Sequence, residues 1–212
     1  MNDLTLIGTD FSINKPACCI LKDNQYYFVS WPYGLSKNQI EIYKNSPIYI
    51  IEREDIKEKK ILVSQKMRYE VKNAKYIANL ILLYLSPFIN NRTYIAFEGL
   101  SYGSTGDVVA QLSGYKYILM DVLSQIIPLD NMFTYAPITI KKTAGCSKKG
   151  MKKGDMIEVF KNETNNFSKY LRENENIFKT KKENWIVHLD DIVDSYFTLE
   201  TLRREVLEFK NF

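Results

Sequence analysis

Leu4-Thr5-Leu6-Ile7-Gly8-Thr9-Asp10 opens the chain with a short apolar run that ends on a carboxylate, and its neighbours decide the fold. Residues 17–21 form a second strand candidate, Asp23-Asn24 gives a turn signal, and residues 26–31 form a third strand. Strands this closely spaced predict an antiparallel meander. Pro32-Tyr33-Gly34 punctuates its end, and Pro47-Ile48-Tyr49-Ile50-Ile51 reads as a further short strand. Residues 53–60 are charged and fit either a loop or a helix.

Beyond the meander the period changes. Tyr69, Ala74, Ile77, Ala78, Ile81, Leu82 and Leu85 recur at three- and four-residue intervals and predict a helix over 67–86. Pro87 closes it, because a residue before proline avoids helical geometry. A buried strand over 93–97 ends in Glu98-Gly99, and a glycine- and serine-rich loop over 101–106 leads to a helix over 107–123. Residues 133–140 read as a strand with Pro137 inside it, hence at a sheet edge or bulge. A basic loop over 141–153, a short helix over 155–161, a polar and poorly periodic stretch over 162–182 and a last helix over 188–209 complete the chain. Strands and helices alternate after the meander, so the expected fold is α/β with a central mixed five-stranded sheet flanked by helices, in a single domain over 1–212.

The 212 residues carry 45% apolar and 25% charged side chains, which excludes a disordered chain, a collagen-like repeat and a disulfide miniprotein. The formal charge of +4 permits an anionic partner without requiring one. Cys18, Cys19, Cys146 and His188 are the only thiols and imidazole and show no CxxC spacing, so a structural zinc site is not expected. The cysteines read as reduced, partly buried thiols. With neither an apolar leader nor a membrane-length apolar run, the expectation is a soluble cytoplasmic protein that engages no membrane.

Four carboxylates stand at informative places. Asp10 follows the first strand, Glu98 ends the fourth, and Asp191 and Asp194 lie three apart on one face at the start of the last helix. Convergence of these acids at one end of a sheet makes an oxygen-only pocket suited to Mg²⁺ or Mn²⁺. Two such ions can activate a water and stabilise the leaving oxygen of a phosphodiester. Asp190, ~100° around the helix from Asp191, reads as a helix-start group. His188 is expected to be a water-exposed residue at the helix start. Ser12 and Ser101 have no histidine partner in any triad arrangement, so serine hydrolysis is not expected.

Six lysines, Lys141, Lys142, Lys148, Lys149, Lys152 and Lys153, fall within thirteen residues, separated by Gly145 and Gly150 and followed by Gly154. Lysine offers phosphate a flexible point charge and glycine admits close backbone approach, so the loop reads as a DNA-backbone contact. Tyr102 can stack on a splayed base or pack within its own loop.

These motifs resemble those of RuvC-type Holliday-junction resolvases, and the match is closest to the bacteriophage-encoded branch. The resemblance rests on Asp10 after strand one, on Phe97-Glu98-Gly99, and on Asp191-Ile192-Val193-Asp194-Ser195-Tyr196. Glu98-Gly99-Leu100-Ser101-Tyr102-Gly103-Ser104-Thr105-Gly106 is similar to a glycine-serine loop of that branch. Residues 140–145 and 152–157 are similar to its lysine-bearing segment. Phe11-Ser12 departs from the usual second glycine after the first acid, and residues 162–182 have no counterpart.

The resemblance implies a ribonuclease H-like fold and a homodimer that nicks symmetric strands of a four-way junction or other branched DNA. It implies two Mg²⁺ ions, replaceable by Mn²⁺, held by Asp10, Glu98, Asp191 and Asp194, with no organic cofactor. It sets Lys153 beside the scissile phosphate, Lys141 nearby, and Tyr102 and Ser104 in the DNA-binding loop. Two other readings stand beside it. One is a non-catalytic DNA-binding relative serving replication or packaging. The other is an actin-like small-molecule kinase, suggested by Gly8-Thr9-Asp10-Phe11-Ser12, although 212 residues leave little room for that fold's second domain.

Overall fold

The computed structural model describes residues 3–54, 62–100, 106–147 and 154–209. Strands β1 (Thr5–Asp10), β2 (Ala17–Lys22) and β3 (Gln25–Ser30) form the expected antiparallel meander. Asp23 and Asn24 turn β2 into β3 with both φ values positive, at 52° and 61°. That is the two-residue hairpin geometry whose twist matches paired strands and which Asp and Asn tolerate. Strand β4 (Ile48–Ile50) adds in parallel beyond β3, while β5 (Thr93–Glu98) and β6 (Met132–Tyr135) add in parallel beyond β1. The sheet order is β4-β3-β2-β1-β5-β6.

The sheet therefore has six strands rather than five, because the short segment at Ile48–Ile50 joins its edge. Three further expectations are corrected. The segment 133–140 is not one strand: β6 stops at Tyr135, and Pro137 begins helix α4 (Pro137–Thr143), counting helices in chain order. Proline's fixed φ and missing N–H suit the first helical position. Lys141 and Lys142 consequently lie on a helix, not in a loop. Helix α1 (Lys37–Lys44), absent from the sequence reading, starts at a capping box in which Ser36 and Gln39 satisfy each other's backbone N–H groups. The polar stretch 162–182 contains α6 (Asn166–Glu173), capped by Asn165, whose side chain accepts the Ser168 N–H at 2.8 Å. Phe167 and Leu171, both fully buried, and the partly buried Tyr170 supply its apolar face.

The remaining helices follow the expected periodicity: α2 (Lys66–Leu85), α3 (Asp107–Leu123), α5 (Asp155–Phe160) and α7 (Leu189–Phe209). No described helix is long and apolar enough to cross a membrane. Alternation along the strands divides the core in two. Ile7, Cys18, Ile20, Ile95 and Phe97 pack with α2 and α3 on one face, whereas Leu6, Ala17, Cys19, Phe28 and Ala96 pack with α7 on the other. Phe160 of α5 and Phe167 of α6 close around Phe28 at ring distances of 6.0 and 5.2 Å, so the 154–178 region covers the α7 side.

One contact fixes how closely α7 approaches the sheet. A Cβ on Gly8 of β1 would lie 2.3 Å from both the Leu199 nitrogen and the Ser195 carbonyl oxygen of α7. Backbone meets backbone there, so no rotamer change can make room. Gly8→Ala is expected to destabilise the fold by about 3 kcal/mol, the upper range for overpacking, read as a lowered urea midpoint at unchanged slope. A midpoint equal to wild type would show that α7 can lift off without cost.

Candidate active site

The site grows out of strand pairing. β1 and β5 run parallel with Thr9 opposite Phe97, so Asp10 and Glu98 emerge side by side at the carboxyl ends of the two strands. Both fall on the α7 face, in alternation with Gly8 and Ala96. Because Gly8 lets α7 touch β1, the first turns of α7 bring Asp194 onto the same spot. Carboxylate oxygens of Asp10, Glu98 and Asp194 lie within 4.8 Å of one another, and this group can hold a metal ion. Asp191 lines the same cavity, of about 510 Å³, but stands outside that tight group. Its Oδ2 is 2.9 Å from Nδ1 of His188.

Asp10 is only 9% exposed. Burial first, and then the charges of Glu98, Asp191 and Asp194, push its carboxyl well above the usual range, and a hydrogen bond with Glu98 adds to the shift. An oxygen-only cluster whose acids repel one another in this way fits a hard dication, which would offset the charge and accept these ligands. Lys116 of α3 also reaches the cavity. It is 8% exposed and donates through Nζ to the Glu98 carbonyl oxygen. Burial lowers its ammonium pKa, while Glu98 and Asp10 act in the opposite direction. The sequence reading missed Lys116. Its signal was a lysine inside the apolar run Tyr115-Lys116-Tyr117-Ile118-Leu119-Met120 of a buried helix.

The structure brings Lys141 into the cavity lining and leaves Lys142 exposed on α4. Tyr102, Ser104, Lys148, Lys149, Lys152 and Lys153 lie outside the described residues. Asp190 lines a neighbouring cavity of about 920 Å³, which shares Ser12, Leu112 and Asp191 with the acidic one. His188 corrects an expectation. It is 1% exposed rather than facing water, because the chain enters α7 at a positive φ of 84° that turns the ring inward. Cys18, Cys19 and Cys146 are buried free thiols.

No protein-family model matches this sequence, nor does any curated protein sequence. Solved structures do match. The chain is similar to Thermus thermophilus RuvC in complex with a Holliday junction substrate, with a TM-score of 0.52, 11% identity, and 95% and 96% of the two chains covered. A second Thermus thermophilus RuvC structure gives a TM-score of 0.52 at 10% identity, covering 96% and 97%. The yeast mitochondrial Holliday junction resolvase Ydc2 gives 0.48 at 13% identity, covering 99% and 82%. The fold is thus the mixed α/β, ribonuclease H-like fold of RuvC, with a carboxylate cluster at the ends of its central parallel strands.

A raised carboxyl pKa ties this site to stability. The folded state keeps a proton that the unfolded chain releases near pH ~3.9. Stability therefore falls as pH rises from that value through the raised pKa of Asp10. In EDTA, Asp10→Asn is expected to raise the melting temperature at neutral pH and to flatten its pH dependence between pH 4 and 8. An unchanged profile would mean that Asp10 is not the group carrying the strain.

Proposed function

We propose that the chain is a metal-dependent, structure-specific DNA endonuclease that cleaves four-way junctions and related branched DNA as a homodimer. The observation that carries this reading is the group formed by Asp10, Glu98 and Asp194 on a RuvC-type fold. In this reading Asp10, Glu98, Asp191 and Asp194 hold two Mg²⁺ ions, and Mn²⁺ can replace them. When bound, such ions lower the pKa of a water to give the nucleophile and stabilise the leaving 3′-oxygen.

The protein's own groups do the rest. Glu98 and Asp10 are set side by side by rigid strands, and Asp194 is delivered by a helix seated on β1, so the acids need little reorganisation on binding. Lys116 holds the end of β5 through the Glu98 carbonyl. Lys141 and Lys153 meet the phosphate beside the cleaved bond. Lys142, Lys148, Lys149 and Lys152 follow the DNA backbone, with Tyr102 and Ser104 contacting DNA near the branch. Exposed Met67 and Val71 extend the apolar stripe of α2 to its solvent-facing first turns, and this supports its use as a dimer contact.

The decisive assay uses labelled four-way, three-way, flap and duplex DNAs. Asp10→Asn, Glu98→Gln, Asp191→Asn and Asp194→Asn are each expected to abolish Mg²⁺-dependent cleavage while keeping junction affinity within a few-fold, because each loses an anionic ligand but not shape. Ca²⁺ is expected to support binding without turnover. Two protomers are expected per junction by sedimentation. Full cleavage in EDTA, or a monomer with and without junction DNA, overturns the corresponding part of the reading.

The lysines are separable by a second measurement. Neutralising Lys148 and Lys149 together is expected to weaken binding to every DNA alike. The slope of log K against log salt should fall by about 0.9 per lost duplex phosphate contact. Lys153→Ala is expected to lower the single-turnover rate more than affinity, since a group beside the scissile phosphate meets charge that grows in the transition state. Equal losses of rate and affinity would place Lys153 on the backbone path instead.

A further inference from the structure

His188 occupies its position against local preference. It is the residue from which α7 springs, its carbonyl accepting the Ile192 N–H at 3.3 Å. Such a position usually carries Ser, Thr, Asp or Asn, whose side chain caps the helix. The φ of 84° is a conformation that non-glycine residues rarely adopt, Asn, Asp and His most readily among them. Its imidazole points into the protein. The side chain does not cap the helix; instead both ring nitrogens are engaged inside the protein.

Nδ1 lies 2.9 Å from Oδ2 of Asp191. Nε2 is hydrogen-bonded to Oγ of Ser30 at the end of β3. Tyr43 of α1 packs edge-on at 5.8 Å and is itself fixed by donating to the Val187 carbonyl at 2.8 Å. The proton positions follow from the partners. A nitrogen facing a carboxylate carries the proton, so Nδ1–H donates to Asp191. Nε2 can then accept the Ser30 hydroxyl. Alternatively it can donate to Ser30 while that hydroxyl donates to the Pro16 carbonyl, 2.9 Å away. That carbonyl already receives the Trp31 N–H at 3.1 Å, so neither arrangement strands a polar group. In both arrangements Oδ2 of Asp191 accepts from Nδ1, whatever the charge on the ring.

We infer that His188 is a positioning residue for the fourth carboxylate: Ser30 and Tyr43 fix the ring, the ring bonds Oδ2 of Asp191, and Asp191 therefore meets a cation with its carboxylate in a set orientation. This rests on the proposed metal-dependent reading and adds an element to it. The three acids of the tight group are delivered by β1, β5 and α7. Asp191, also on α7, is held by a chain of side chains that crosses from α7 to β3. Outer partners of this kind commonly change metal affinity or activity by about 10–100-fold when removed.

The test uses the full-length protein and Mn²⁺ alone, with free Mn²⁺ followed by electron paramagnetic resonance, so that no cleavage is needed. His188→Gly removes the ring and suits the positive φ. It is expected to weaken Mn²⁺ binding by about 10-fold or more, and to do nothing further in an Asp191→Asn background. His188→Asn, whose amide can donate to Asp191 and which tolerates this backbone, is expected to recover most of the loss. Ser30→Ala, which frees the far edge of the ring, is expected to give a smaller loss and serves if the glycine variant does not fold.

Wild-type affinity in His188→Gly overturns the inference, as does an equal loss with and without Asp191. If the glycine variant does not fold, wild-type affinity in Ser30→Ala overturns it. Failure of the metal-dependent reading looks different: the wild-type protein would then show no Mn²⁺ binding that Asp10→Asn removes.

Discussion

The seat of α7 on β1 is the constraint on which the rest of this structure depends. Gly8 has no side chain, so the helix backbone rests directly on the strand at Ser195 and Leu199. Two consequences follow from that single contact. The apolar face of α7, with Ile192, Val193, Tyr196, Leu199 and Leu202, closes the core on one side of the sheet. Asp194, one residue before Ser195, is carried at the same time into contact range of Asp10, two residues after Gly8. Core packing and site assembly are thus one geometric event, and a side chain at position 8 would disturb both.

The acids assembled this way work against the folded state. Asp10 is held above its ordinary pKa by burial and by three neighbouring carboxylates, and the only described lysine buried at the cluster, Lys116, spends its hydrogen bond on a backbone carbonyl. A site that concentrates unlike-for-stability groups in this manner is a place where folding energy is traded for binding capacity. The surrounding protein offsets the cost with rigid elements: parallel strands beneath, a close-packed helix above, and aromatic rings from α5 and α6 sealing the far side of α7. The 154–178 region therefore acts as a buttress for the helix that bears two of the four acids.

The misreadings of the sequence have particular physical causes. Residues 133–140 carry β-branched and aromatic side chains, and local propensity favours a strand on both sides of Pro137. Pro137 instead starts a helix, because Ile140 finds its burial against α7 rather than in the sheet. Helix α6 was hidden because it is two turns long, and its short apolar set of Phe167, Tyr170 and Leu171 sits in a strongly polar stretch. His188 was misplaced because a helix-start histidine is ordinarily solvated, and nothing in the local sequence announces a positive φ that turns the ring toward Ser30. Lys116 was passed over because lysine in a helix is ordinarily read as a surface residue; its depth is set by how α3 lies over β5.

What the sequence determined alone is what short-range chemistry dictates. The Asp23-Asn24 turn forces the meander, the three- and four-residue spacing forces α2, α3 and α7, and the termination of strands on Asp10 and Glu98 marks the end of the sheet where acids collect. The i, i+3 spacing of Asp191 and Asp194 places both on one face of a helix. Tertiary structure decided the rest. Parallel pairing of β1 with β5 set Asp10 beside Glu98, across 88 positions of chain. The Gly8 contact chose which of the α7 acids joined them in the tight group. His188 bonds to Asp191, which stands outside that group. These distances are fixed by the approach of elements remote in sequence, and an approach of that kind is set by packing against everything else in the core.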